Sequence, residues 1–341
     1  MRKYRVGVLG LDHWYWATSL IPQILKHPRY ALAAIHEPRA WRLKAVKYPA
    51  RVVPRPQDIT DAPDIDVVAS FLPCPASARW LARAAARGKA VLCNKPLAMN
   101  VAAAAPLLGA LKRTRRPSFC LEGTAPLSAR SRFLRSIVRK GVIGRPLTVT
   151  SVMRGGMPMA WWDRGGKSGR ANWGWWTDAR AVPGGAWLDH SIYAISEYRF
   201  ILGDEPRSVT AVMANLKYPR SVLPLEDYGI ATYKYRKGAV VTFEYDWIGG
   251  TGSHSLLVGT SGTLRWGGAV PHGIVELVAK WKTRALKIPA RLEERLLDHF
   301  ASCLDRGRDT VQPARLGAEN LRLALLAYRA SRLGRELKTG G

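Results

Sequence analysis

No run of about 18 apolar residues occurs in this chain, so no segment reads as a membrane-spanning helix. The apolar stretch Val6-Gly7-Val8-Leu9-Gly10, behind Met1-Arg2-Lys3-Tyr4-Arg5, is too short for a signal-peptide core and has no small-residue cleavage site after it. That predicts a cytoplasmic protein. Cysteine is scarce: Cys74, Cys93, Cys120 and Cys303 lie far apart and form no CxxC pair, which argues against a disulfide scaffold and a metal site and predicts buried thiols. Internal repeats and low-complexity segments are missing. Acidic residues are few, 25 against 53 Lys and Arg, and the resulting net charge of +28 is large enough to attract nucleic acid, anionic lipid or an acidic substrate. The basic residues are nevertheless spread along the chain. The densest clusters are Lys112-Arg113-Thr114-Arg115-Arg116 and Arg130, Arg132, Arg135, Arg139 and Lys140, the second distributed over several faces of a predicted helix. No zinc-finger spacing and no RNP-type aromatic strand accompanies them, so the expectation is a solvated Arg-rich surface, with no nucleic acid or membrane as partner.

What is present is an ordinary globular composition, 47% hydrophobic and 23% charged, in 341 residues, enough for two domains. The first third alternates buried strands (4–9, 31–36, 66–72, 89–93) with helices (14–26, 40–47, 77–87, 101–112), which predicts a parallel, doubly wound sheet. From about Gly123 the pattern changes. A helix over 128–139 leads into a strand over 146–153, and a Trp- and Gly-rich stretch over 155–185 has little periodicity. A helix over 188–202 then precedes strands at 208–215, 228–235, 239–247, 253–258 and 263–266, two of them joined by Arg236-Lys237-Gly238. Helices over 290–305 and 314–334 close the chain.

Four segments resemble, in order, motifs of the Gfo/Idh/MocA family of nicotinamide-dependent oxidoreductases. Gly88-Lys89-Ala90-Val91-Leu92-Cys93-Asn94-Lys95-Pro96-Leu97-Ala98 is similar to its GKHVLCEKPLA segment. Gly141-Val142-Ile143-Gly144-Arg145-Pro146 resembles its entry into the second domain. The run Gly184-Gly185-Ala186-Trp187-Leu188-Asp189-His190-Ser191-Ile192-Tyr193 resembles its GGG-x-L-x-D-x-G-x-H helix start, and Gly259-Thr260-Ser261-Gly262-Thr263 its G-T-x-G-T turn. The resemblance implies an α/β chain: an N-terminal Rossmann-like doubly wound parallel sheet over 1–122, then a C-terminal α+β domain over 123–341 with a mostly antiparallel open sheet. It also implies NAD or NADP as cofactor.

A dinucleotide fold needs G-x-G-x-x-G after its first strand, so that backbone approaches the pyrophosphate at a helix N-terminus. Here only Gly10 fits; Asp12 and Tyr15 hold the other two glycine positions. Asp12 places a carboxylate near the phosphates unless it caps the following helix, and His13 is a compensating donor. Glu37, after the second strand, suits a ribose diol and so NAD, while Arg39 and Arg42 leave NADP open. Gly10, Asp12, His13, Glu37, Leu72, Pro73, Asn94 and Lys95 form the expected cofactor set.

By resemblance, Lys95, Asp189 and Tyr193 stand at the family's catalytic positions, with Asn94 replacing a Glu and Tyr193 replacing a His. Asp189 and Tyr193 are four apart and share a helix face. Oxidising an alcohol needs a base for the hydroxyl proton, and a free Tyr, with a pKa of about 10, needs a neighbouring cation such as Lys95 to serve. A protonated Tyr193 instead suits carbonyl reduction, and His190 is a rival acid/base. Trp161, Trp162, Trp173, Trp175 and Trp176 offer faces for a sugar or for packing, and Arg154, Arg164, Lys167 and Arg170 suit an anionic substrate. The expected activity is hydride transfer at a hydroxyl or carbonyl carbon of a sugar, cyclitol or related small polar substrate by a homo-oligomer, a dimer or tetramer. Two rival expectations are a cofactor-deficient binding or partner subunit on the same fold, and a NAD-assisted lyase or glycoside hydrolase.

Overall fold

The computed structural model describes residues 3–158, 174–250 and 252–340. They divide into two compact units. One comprises 1–123, 158–183 and 295–321, the other 124–157, 184–294 and 322–341. Both units are therefore discontinuous in sequence.

In the first unit, β1 (Tyr4–Leu9), β2 (Tyr30–His36), β3 (Arg51–Val52), β4 (Val67–Ser70), β5 (Ala90–Cys93) and β6 (Ser118–Cys120) form one sheet in the order β3-β2-β1-β4-β5-β6. Every neighbouring pair in it is parallel. Helices α1 (Trp14–Lys26), α2 (Ala40–Val46), α3 (Gln57–Thr60), α4 (Cys74–Ala86) and α5 (Val101–Thr114) make the crossovers. Because helices cover both faces, β4 and β5 are buried at every position and read as unbroken apolar runs. The order reverses between β1 and β4, and the crevice at such a switch point is where doubly wound sheets bind ligands. Residues 295–321, which include α8 (Leu296–Arg306) and the start of α9 (Ala314–Leu333), join this unit through specific bonds. Tyr30 Oη donates to Leu297 O (3.0 Å), Tyr4 Oη to Asp305 (2.6 Å) and Cys120 N to Gln312 O (2.9 Å).

In the second unit β7 (Pro146–Arg154), β8 (Pro206–Ala214), β9 (Tyr228–Tyr235), β10 (Val240–Asp246), β11 (His254–Gly259), β12 (Thr263–Gly267), β13 (Ile274–Ala279), β14 (Lys282–Lys287) and β15 (Leu337–Lys338) form a second sheet. Its order is β14-β13-β12-β11-β7-β10-β9-β8-β15, antiparallel except for the β7–β10 pair. Alternation sorts its faces: Val149, Ala231, Tyr233, Val241, Phe243 and Tyr245 are buried, while Thr148, Thr150, Thr232 and Thr242 lie on the opposite side. Helix α7 (Ala186–Leu202) packs on the apolar face, with Tyr198 5.4 Å from Phe243 and Trp187 6.1 Å from Tyr245 between ring centres. Helix α6 (Ala129–Arg139) lies beside α7, and its arginines hold it there: Arg130 pairs with Glu197 at 3.0 Å and Arg135 donates to Phe200 O.

The helix expected over 290–305 begins only at Leu296. Residues 290–292 form a short 3-10 turn, and Glu293 is extended because its carboxylate caps α6 at Ala129 N while Glu294 pairs with Arg132. Strands β13 and β14 were not expected. Cys74, Cys93, Cys120 and Cys303 are free and buried. Among the described residues no helix is long and apolar enough to cross a membrane, and no group of three His, Cys, Asp or Glu is placed to hold a metal.

Candidate functional site

The first unit carries its chemistry at the C-terminal ends of adjacent strands. Leu9, Ser70 and Cys93 are in register across β1, β4 and β5, so Gly10, Leu72, Pro73, Asn94 and Lys95 follow from neighbouring strand ends. Gly10 adopts φ +72°, and a Cβ there would lie 2.4 Å from a methyl of Leu72, so both the turn and the close approach require glycine. The N-terminus of α1 is open: its N-cap residue His13 makes no capping bond and the first turn holds no acid. Asp12 therefore does not cap. Its Oδ1 instead accepts from Arg39 Nη1 (2.6 Å) and Arg42 Nη1 (2.9 Å). Glu37 is also engaged, Oε2 accepting from Leu11 N (2.9 Å) and Oε1 from Arg39 N (3.0 Å).

Three buried polar atoms at these strand ends, Asp12 Oδ2, Ser70 Oγ and Asn94 Oδ1, have no hydrogen-bond partner among the described residues. Buried polar groups are normally satisfied, so such a cluster at a switch point fits a polar ligand. Hydroxyl and amide donors of a nicotinamide dinucleotide suit these acceptors, and the uncapped amides of α1 suit its pyrophosphate.

Lys95 is 1% exposed. Its ammonium lies 4.7 Å from the centre of the Trp176 ring and 5.6 Å from that of Tyr15, distances at which the ring quadrupoles favour a cation. His13 packs against Tyr15 (4.2 Å) and Trp176 (5.0 Å), and Trp175 stacks on Trp176 at 4.1 Å and donates Nε1–H to Asp12 O at 3.2 Å. Tyr15, in a glycine position, thus belongs to an aromatic layer over the strand ends. Trp161, Trp162, Trp173, Arg164, Lys167 and Arg170 lie outside the described residues. Arg154 is paired with Glu244 (2.7 Å) and Asp246.

One further group here carries no motif. Glu122, 2% exposed just beyond β6, is pushed up to about 7 by burial, against the opposing pull of the Asn320 and Gln312 amides and the Lys95 charge. Its only sequence signal is an acid immediately after a parallel strand.

In the second unit, α7 starts at two glycines that nothing larger can replace. A Cβ on Gly184 would lie 2.0 Å from Tyr328 Oη, and one on Gly185 2.1 Å from Glu226 O. Glu226 organises this helix start. Its Oε1 accepts from Gly185 N (2.9 Å), Trp187 N (3.1 Å) and Tyr328 Oη (2.6 Å), and its carbonyl accepts from Ala186 N (3.0 Å). Burial pushes its carboxyl up to about 7 despite these donors. Glu226 was not singled out in the sequence because it acts from 39 residues beyond Trp187. The turn it anchors carries Asp189, whose Oδ2 accepts from Trp247 Nε1 (3.2 Å) and lies 3.9 Å from His190 Nε2. His190 and Tyr193, three apart, open together onto a cavity of about 140 Å³ that Ser151, Met153, Tyr245 and His254 also line. Asp189 turns toward Trp247 instead.

The profile of an oxidoreductase family with an NAD-binding Rossmann fold matches residues 4–119, and that of the Gfo/Idh/MocA C-terminal domain matches residues 131–265. The chain belongs to the Gfo/Idh/MocA family. A curated relative, dTDP-3,4-didehydro-2,6-dideoxy-alpha-D-glucose 3-reductase of Streptomyces antibioticus, is 26% identical over 269 residues, 77% of this chain and 75% of that protein. Aldose-aldose oxidoreductase from Caulobacter crescentus, solved with glycerol, has the same fold, with TM-score 0.81 at 24% identity over 99% of this chain and 100% of that one. Levoglucosan dehydrogenase, solved with NADH and L-sorbose, gives TM-score 0.79 at 17% identity over 100% of both chains. This Gfo/Idh/MocA protein is a NAD(P)-dependent oxidoreductase, and its residues 4–119 match the NAD-binding Rossmann fold.

Proposed function

We propose that this oxidoreductase acts on a sugar, cyclitol or related small polar molecule, exchanging hydride at a hydroxyl or carbonyl carbon. The nicotinamide supplies the hydride acceptor or donor. Lys95 polarises and orients the reacting oxygen, Tyr193 is the proton-exchanging group, and Asp189, held by Trp247, helps to position the substrate through its neighbour His190. The observation that carries the reading is Lys95 itself, a nearly inaccessible ammonium at a parallel strand end within the family-like segment Asn94-Lys95-Pro96. Burying a charge is unfavourable unless it is compensated, and its setting of aromatic faces suits a polarising role. The sugar names of the relatives support the substrate class.

The half-exposed face of the nine-stranded sheet supports self-association into a dimer or tetramer: Val212, 58% exposed, pairs in register with Ile230 beside Thr232 and Thr242. Four free buried thiols support a reducing, cytoplasmic setting. The test of function is titration with NADH followed by turnover on a panel of sugars, cyclitols and their keto forms. Cofactor binding with turnover on members of that panel is expected; binding without turnover on any of them refutes the substrate class.

A further inference from the structure

The ion cluster beside Gly10 bears on which dinucleotide the domain accepts. Arg39 and Arg42 follow the acid at the end of β2, the region that meets the adenosine ribose, where an arginine ordinarily accommodates the 2′-phosphate of NADP. In this chain both guanidiniums already hold a carboxylate. Asp12 Oδ1 lies 2.6 Å from Arg39 and 2.9 Å from Arg42, and Glu37 lies 3.5 Å from Arg42 and 3.8 Å from Arg39. Two carboxylates thus balance two guanidiniums. The side chains of Asp12, Glu37 and Arg42 are 3%, 0% and 7% exposed, so water screens these pairs poorly. The remaining Asp12 oxygen, Oδ2, is a buried acceptor with no partner among the described residues, turned toward Gly10, where a Cβ would lie 3.2 Å from it.

We propose that Asp12 is the residue that selects NAD over NADP, by acting as a built-in counter-ion on Arg39 and Arg42. The proposal rests on the dinucleotide binding at the Gly10 turn. A ribose hydroxyl has a proton to give to a waiting carboxylate oxygen. A 2′-phosphate has none in its dianionic form, and it meets two carboxylates and cations that are already occupied. Loss of the Asp12 charge leaves Glu37 as the one carboxylate between two guanidiniums and so releases one positive charge for the phosphate, chiefly on Arg39, whose side chain is 39% exposed.

The test is calorimetric titration of the full chain with NADH and with NADPH, for wild type, the near-isosteric Asp12→Asn, and Asp12→Gly, which restores the glycine of the dinucleotide pattern. Wild type is expected to bind NADH more tightly. Asp12→Asn is expected to tighten NADPH binding by about 10–100-fold relative to NADH, the worth of one or two charge-assisted hydrogen bonds. Adding Arg39→Ala to Asp12→Asn is expected to reverse most of that gain. Asp12→Gly carries the same expectation if Asp12→Asn proves unstable. A wild type that prefers NADPH, or substitutions that leave the NADPH-to-NADH ratio unchanged while both ligands bind, overturns the proposal with the binding site intact. Absence of binding by either dinucleotide to wild type overturns the placement at the Gly10 turn itself.

Discussion

Glu226 offers the sharpest test of how the second unit presents its candidate residues. Glu226→Ala removes the common acceptor of Gly185 N, Trp187 N and Tyr328 Oη, three donors in a buried setting. Each donor left unsatisfied costs about 1–3 kcal/mol, so the expected loss is roughly 3–9 kcal/mol, against a typical domain stability of about 5–15. Glu226→Gln keeps an acceptor oxygen and isolates the charge. Burial raises the wild-type carboxyl from 4.5 to about 7, so between those values the folded chain keeps a proton that the unfolded chain has released. Its contribution is therefore most favourable below about pH 4.5, declines as pH rises, and levels off above about 7. The full swing is about 3 kcal/mol, from 1.36 kcal/mol per pKa unit. Glutamine does not titrate, so Glu226→Gln is expected to gain on wild type by about that amount between pH 4.5 and 8. Urea unfolding of both proteins at several pH values, followed through tryptophan fluorescence, measures the difference. A difference that stays constant across the range would show the carboxylate ionised throughout and would refute the assignment of a raised pKa.

Tyr193→Phe is expected to fold and to bind NADH normally while turnover falls about 10²–10⁴-fold; full activity there, with a large loss in His190→Ala, transfers the proton to His190. Lys95→Met is expected to lower turnover while the protein still folds, and unchanged turnover refutes a polarising role for Lys95. Glu122, raised by burial to about 7 beside the Lys95 charge, is expected to give NADH affinity an inflection near neutral pH that Glu122→Gln abolishes; flat wild-type affinity refutes it. Light scattering at micromolar concentration is expected to give at least a dimer, and a strictly monomeric mass refutes association through the sheet face.

Most of the first unit was legible because covered parallel strands are uninterrupted apolar runs and their helices carry clear stops, such as Gly88 after α4 at φ +74°. Lys282–Lys287 was invisible for the opposite reason. All its residues are exposed or half-buried, and the hairpin before it turns through Lys280 and Trp281, both at positive φ, instead of the Asn-Gly that normally announces such a turn. Lys95 and Asp189 stood out in the sequence because each lies within a motif. Pairings across the chain left no such mark. Asp12 read as an electrostatic fault until Arg39 and Arg42 closed on it, 27 and 30 residues later. Glu226 reaches back 41 residues to Gly185, a separation that no local pattern reports.

The parallel pairing of β7 with β10 constrains the order in which this chain acquires structure. Strand β7 sits between β10 and β11, yet it precedes both in sequence by about 90–100 residues. No neighbouring hairpin can shelter its apolar face as it is made. At about 5–20 residues per second, β7 waits roughly 5–20 s on the ribosome for its partners. Thr148 and Thr150, on the face opposite Val149, keep that face of the strand polar during the interval, and substituting them with valine is a change whose harm would appear in synthesis yield before it appeared in the folded enzyme.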